Sequence, residues 1–357
     1  MIASIILLVV LVLSLFGNVT QFVMNTLAFR HGLRSEAFGS GREAGPRLEE
    51  SILENNGSQN KVAVITVDGI ITSHDTDQAG NNMVDVIKAQ LDRARDDRRV
   101  KAVILKVDSP GGEVLASDQI YKAIRDFETG QPAEHGEPAR KGKPVICSMG
   151  SLAASGGYYI SSGCRWIVAN DLTITGSIGV IMHGWNYRGL MDKVGVMPMT
   201  FKSGKFKDML SGDREPSEIP PEEHAMVQGL IDETFGRFKE VVAEGRGDAH
   251  DLNKTEGRAL AADWKDYADG RVLSGTQALK LGFVDEVGDF DDAVQRTFQI
   301  AHIGNANLVE YRERYDLSNF LSMFGQSSQA HDIKLDFGAE AGMPKLRAGL
   351  MYFLYEP

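Results

Sequence analysis

Cysteine is nearly absent: the 357 residues contain two, Cys147 and Cys164, too few for a disulfide framework. Cys147 ends the run Pro144-Val145-Ile146-Cys147, and Cys164 directly precedes Arg165-Trp166-Ile167-Val168-Ala169. In adjacent parallel strands their offset is about 10 Å at about 3.3 Å per residue, beyond the reach of a bridge, so two buried free thiols are expected. Neither C-x-x-C nor H-E-x-x-H occurs, and no metal site is expected. A P-loop is missing too, and the glycines at 176–179 do not complete G-x-G-x-x-G, so no cofactor is expected. Basic residues are outnumbered, 38 Lys and Arg against 49 Asp and Glu, for a formal net charge of −11. With no Lys/Arg stripe, that balance excludes a nucleic-acid partner.

Charge is missing altogether before Arg30. Ile2 to Phe16 is almost continuously aliphatic, and Gly17 to Phe29 is milder but still largely apolar. About 20 apolar residues cross a bilayer as a helix, and 3–28 is long enough. A cleaved signal peptide is the rival reading, but a basic start and an A-x-A site are lacking. The expected division is a transmembrane anchor (1–29), a polar linker (30–60), a main domain (61–300) and a C-terminal strand and tail (301–357). Arg30, Arg34, Arg42 and Arg47 follow the span. Positive-inside counting would hold the domain in the cytoplasm, a count weakened by interspersed acids and by the length of the domain. The expectation is a single-pass membrane protein; charge alone leaves its orientation open, and an extracytoplasmic main domain is the reading taken.

From Lys61 onward, short β-branched runs alternate with helical spacing. Strands are expected at 62–67, 100–107, 144–149, 165–169, 283–287 and 308–311. Helices are expected at 83–95, 113–127, 187–194, 221–244 and 289–300, with extended chain over 196–202. This is the α/β pattern of crossover units and parallel strands. Residues 128–143 form a turn-rich insertion.

The run Met149-Gly150-Ser151-Leu152-Ala153-Ala154-Ser155-Gly156-Gly157-Tyr158-Tyr159 sets serine among small residues, after an apolar strand and at a helix start. A serine hydroxyl is a poor nucleophile until a base takes its proton, and a neutral lysine amine can do so. Ser155 is the leading nucleophile, with Ser151 its nearest competitor. If the helix starts after Ser155, Gly156 N–H points out of the first turn, unpaired and partly positive. Asp108-Ser109-Pro110-Gly111-Gly112 is a turn able to aim a second N–H, from Gly111 or Gly112, at a developing oxyanion. Lysines come from Phe201-Lys202-Ser203-Gly204-Lys205-Phe206-Lys207-Asp208. In an extended segment Lys205 and Lys207 share a face and Lys202 points away. A lysine base working near neutral pH must fall about 3 units from about 10.4, which burial can achieve. A Ser–His–Asp triad would draw instead on His74, His183 or His224, none of which has a recognisable context.

Five separated segments, Asp108 to Gly112, Met149 to Tyr159, Thr175 to Val180, Ser203 to Asp208 and Gly270 to Ala278, occur in the order seen in signal peptide peptidase A (protease IV) enzymes. Over roughly 61–300 the chain resembles the single-repeat form of that family. The resemblance implies a Clp-protease/crotonase-like ββα superhelix behind an N-terminal transmembrane helix, assembled as a homo-oligomer. It implies a membrane-anchored serine endopeptidase cleaving short apolar peptides such as signal-peptide remnants. It also implies Ser155 as nucleophile, Lys207 as general base, and Gly111, Gly112 and Gly156 at oxyanion or substrate positions. A crotonase-like acyl-CoA enzyme, which needs neither Lys207 nor a nucleophile, and a catalytically silent membrane scaffold are the other classes carried by this fold. The apolar end, Leu350 to Tyr355, either covers a core or adds itself as a strand to a substrate groove.

Overall fold

Strands that are apolar on both faces belong inside a parallel sheet covered on both sides, and the runs around Val62 and Val103 are of this kind. The computed structural model describes residues 45–74, 76, 80–131, 140–254, 256–313 and 351–355. Its first half contains β1 (Leu48–Glu54), β2 (Lys61–Asp68), α1 (Met83–Asp96), β3 (Val100–Ser109), β4 (Gly111–Glu113), α2 (Val114–Thr129), β5 (Gly130–Gln131) and β6 (Arg140–Lys141). The Ser155 region follows as β7 (Val145–Ala154), α3 (Gly156–Ser161), β8 (Trp166–Ala169) and β9 (Ile174–Gly176). The chain continues through α4 (Arg188–Val194), α5 (Pro221–Asn253), β10 (Val272–Ser274), α6 (Gly275–Leu281), β11 (Glu286–Val287), α7 (Phe290–Ile300), β12 (Asn307–Glu313) and β13 (Tyr352–Leu354).

The main sheet has the order β1-β12-β2-β3-β7-β8-β11, with β9 on the end of β7 and β10 on β9. Every neighbour from β12 to β11 is parallel; β1 on β12 and β10 on β9 are antiparallel. One face is covered by α1, α2, α3 and α5, with Leu91, Ile124, Tyr158 and Phe238 buried against Ile65, Leu105 and Cys147. Ala293 and Val294 of α7 cover the other face over Val62, Ile104 and Ile146. The mixed α/β class is thus as expected.

Several boundaries differ from the sequence reading. Residues 48–54, read as linker, form the edge strand β1, which pairs with β12. The helix expected to end at 244 runs to Asn253. Its extension buries Arg246, whose guanidinium meets Asp285 at 2.5 Å, so a residue that scans as polar belongs to the core. Only 286–287 of the strand expected at 283–287 is strand, because Phe283 and Val284 turn into the core. Residues 196–202 pair with no strand among the described residues, and 203–210, expected to continue extended to 207, is a succession of bends and turns. The thiols are free and buried, as expected, and the register sets Cys147 opposite Ile167, three residues past Cys164. Cys164 sits on the turn closing α3, and burial, with Cys147 adding to it, pushes its thiol well up, while the Cys147 thiol donates to Ser161 Oγ at 3.3 Å. The predicted span 1–29 lies outside the described residues; among those described, no helix is long and apolar enough to cross a membrane.

Candidate active site

β7 delivers Ser155 by a route the sequence does not announce. Val107 pairs with Met149 but Ser109 pairs with Ala153, so β7 carries a bulge between these positions. Asp108 fills it: its carboxylate accepts Leu152 N–H at 3.0 Å, and a Cβ on Gly150 would lie 2.9 Å from that carboxyl. β9 then pairs with residues 152–154, and Gly176 O accepts Ser155 N–H at 2.8 Å. The Thr175 segment therefore braces the strand that carries Ser155. Gly270 N–H in turn donates to Ile178 O, bringing the Gly270 segment in behind it.

Ser155 stands between the last residue of β7 and the first of α3 with φ 53° and ψ −116°. A non-glycine residue held there stores about 1–3 kcal/mol of strain. Its hydroxyl makes no cap bond to the helix and its exposure is 1 %. Ser151 lies exposed in the bulge, away from this junction. Ser155 alone joins a strained strand-to-helix turn to the N–H groups of a helix start.

Gly111, Gly112 and Gly156 come together here. Gly111 has φ +99°, and a Cβ on it would lie 2.5 Å from Gly156 N and 2.0 Å from the carbonyl oxygen of Phe353. A Cβ on Gly156 would sit 3.0 Å from that same oxygen. The Phe353 carbonyl belongs to β13, which runs antiparallel to β4 with Phe353 opposite Gly112. Tyr355 N–H donates to Pro110 O at 2.7 Å and Val114 N–H to Met351 O at 3.4 Å. Bonded pairs alternate along an antiparallel ladder, so Gly112 and Phe353 form the bonded pair between these two. The other edge of the segment pairs with Ile181, through Ile181 N–H to Tyr352 O at 3.1 Å and Tyr352 N–H to Ile181 O at 3.0 Å. Phe353 is fully buried, stacked on Tyr159 with centroids 4.8 Å apart and tilted on Phe238 at 4.7 Å. The apolar end thus adds itself as a strand to β4, and its Phe353 is at the same time part of the main core.

The lysine segment is placed differently. Lys202 is ion-paired with Asp208 at 2.8 Å, and it holds that carboxyl below the usual range. Lys205 faces Glu222 at 3.7 Å and the Phe206 ring. Lys207 is exposed and closes a turn through its N–H to Gly204 O; no hydrogen bond joins it to Ser155. Of the three, Lys207 is the one whose amine no carboxylate holds among the described residues. The surroundings are strongly apolar yet uncovered: Trp185, Met197, Met199 and Phe201 are 80 % or more exposed. None of His74, His183 and His224 hydrogen-bonds to Ser155. His74 sits on Glu113, a residue the sequence reading passed over. Among the described residues no cluster of three or more His, Cys, Asp or Glu could hold a metal.

A profile of peptidase family S49 matches residues 137–303. A protein of Enterococcus faecium named as a signal peptide peptidase SppA is 34% identical over 282 residues, 77% of this chain and 73% of its own length. One of Synechocystis named as a protease is 40% identical over 238 residues, 67% of this chain and 73% of its own. Protease 4 of Haemophilus influenzae is 35% identical over 70% of this chain, which spans 36% of that longer protein.

Proposed function

Because the chain belongs to peptidase family S49 and is a serine peptidase, we propose that it cleaves extended apolar peptides with Ser155 as nucleophile and Lys207 as general base. The observation that carries this reading is the seat of residues 351–355: a peptide carbonyl rests against Gly111 and Gly156, beside Ser155. A substrate in that seat receives attack from Ser155 Oγ on its carbonyl carbon while the hydroxyl proton passes to Lys207 Nζ. Gly112 N–H and Gly156 N–H hold the resulting oxyanion. Each such donor is worth about 3 kcal/mol of barrier. Collapse expels the amine, which takes the proton from Lys207 and leaves an acyl ester on Ser155. Water then attacks the ester, giving its proton to Lys207. Collapse of the second tetrahedral intermediate releases the carboxylic acid product and returns the proton to Ser155 Oγ.

Lys207 must leave water to act as a base, and exposed apolar side chains surround its segment. An apolar patch of this kind marks a protein interface. In the proposed assembly a second copy of the chain covers it and brings Lys207 to Ser155. The docked segment favours apolar substrates, since Phe353 fills an aromatic pocket; signal-peptide remnants are of that class. Residues 1–29 would anchor the enzyme, with the catalytic domain outside the cytoplasm. The test mixes two inactive variants, Ser155→Ala and Lys207→Ala. Recovery of peptidase activity on mixing is expected where the two groups come from different copies. Full activity in either variant alone overturns the dyad.

A further inference from the structure

β4, which presents Gly111 and Gly112, is three residues long, and β13 occupies one of its edges. The other edge is held by a single residue of the loop after β2. Ile71 N–H donates to Gly111 O at 2.9 Å and Glu113 N–H to Ile71 O at 2.8 Å. Ile71 O lies so close that a Cβ on Gly112 would meet it at 2.0 Å. A one-residue bridge is a weak brace for a catalytic donor. The next three residues reinforce it by converging on one carboxylate, that of Glu113. Thr72 Oγ1–H donates to Oε1 at 2.9 Å. Ser73 N–H and Oγ–H donate to Oε2 at 3.0 and 2.8 Å. His74 Nδ1 lies 2.6 Å from Oε1. Glu113 is 7 % exposed and precedes the first residue of α2, yet its side chain gives that helix no cap bond. Burial works to raise its pKa, but the donors from Ser73, Thr72 and His74 outweigh it, so it is held below the usual range as the anion.

Resting on the reading of Ser155 as nucleophile, we propose that Glu113 is a positioning residue: by tying Thr72, Ser73 and His74 to the end of β4, it fixes Gly112 N–H at the reacting carbonyl. Without this tie, β4 leans on Ile71 alone and the donor drifts. A bound peptide still keeps its bonds to Ile181, and the loss falls on the transition state. A misplacement of about 1 Å in a catalytic group costs about 10²-fold in rate.

Steady-state cleavage of an internally quenched apolar peptide by the full chain tests this, with thermal melts alongside. Glu113→Ala is expected to lower kcat about 10²-fold with KM within about threefold. Glu113→Gln should fall between, since its carbonyl still accepts but its NH2 faces donors. A kcat within about threefold of the parent, or a loss carried by KM alone, overturns the proposal. Should Glu113→Ala melt out, Ser73→Ala, which removes one hydroxyl from the loop side, decides: kcat is expected down about three- to tenfold, and an unchanged kcat overturns it. Ser155→Ala in parallel separates the two levels. Activity surviving there defeats the site reading, whereas an inert Ser155→Ala beside a fully active Glu113→Ala defeats this inference only.

Discussion

Phe353→Ala is the sharpest probe of what the docked segment does. The ring is fully buried between Tyr159 and Phe238, while Met351, Tyr352 and Tyr355 hold the segment through four backbone bonds that the substitution leaves alone. Truncating a buried phenylalanine costs about 3–5 kcal/mol. Taking about 3 kcal/mol, at about 1.4 kcal/mol per decade, the ratio of docked to undocked segment falls about 10²-fold. An added peptide competes for the same bonds to Pro110, Gly112 and Ile181, so its kcat/KM should rise between about tenfold and 10²-fold when measured well below KM. The assay is cleavage of an internally quenched apolar peptide by the full chain, with melting temperature checked for each variant. An unchanged or lower kcat/KM in a variant that melts with the parent would refute competition, and Phe353 would then be a core residue only.

Gly111→Ala should place a methyl 2.0 Å from the seated carbonyl at a backbone φ of +99°; we expect at least about a 10²-fold drop in kcat/KM, read from initial rates with circular dichroism confirming the fold. The Glu128 side chain is 8 % exposed, accepts Val145 N–H and Arg165 N–H on one oxygen, and burial raises its pKa to about 7. Between its unfolded value of 4.5 and about 7 the folded chain binds more protons than the unfolded one, so this group makes stability fall as pH rises through that window. Glu128→Gln keeps the acceptor and removes the slope. Its urea midpoint should exceed the parent's at pH 8 and match it near pH 4, and a parallel offset at both pH values would contradict the assignment. Ser151→Ala should leave peptide turnover within about twofold, because its side chain is solvent-facing in the bulge; loss of turnover would return it as nucleophile.

Ser155 was legible because an apolar strand running into small residues and glycines describes a strand-to-helix turn in any fold. The sheet was legible for a similar reason: β2, β3 and the start of β7 are continuous apolar runs. What stayed hidden depends on side chains meeting across long sequence distances. Asp108 absorbs a bulge in β7, which no local pattern reports, so the strand was expected to stop at 149 rather than 154. Strand periodicity set Lys202 apart from Lys205 and Lys207, but no local pattern reports that Asp208 folds back onto Lys202. Arg246 and Asp285 scan as surface residues, yet they neutralise each other in the core. Glu113 follows two glycines and reads as an ordinary helix start; only the return of Thr72, Ser73 and His74 gives its carboxylate a purpose. A signal was available for Phe353 in the apolar end of the tail, but periodicity alone could not choose between groove and core.

The pairing of Tyr352 with Ile181 on one side, and of its neighbours with β4 on the other, demands a ligand whose main chain is bare along both edges. A stretch already folded as a helix has spent those same amide and carbonyl groups internally and cannot enter. On the proposed reading, a coiled peptide would have to unwind over about five residues before the cleft grips it; glycine within that stretch would speed turnover by lowering the cost of unwinding, whereas proline would forfeit an N–H that the pairing uses. Turnover by this enzyme would thus rank peptides by how readily they lose their coil as well as by how greasy they are.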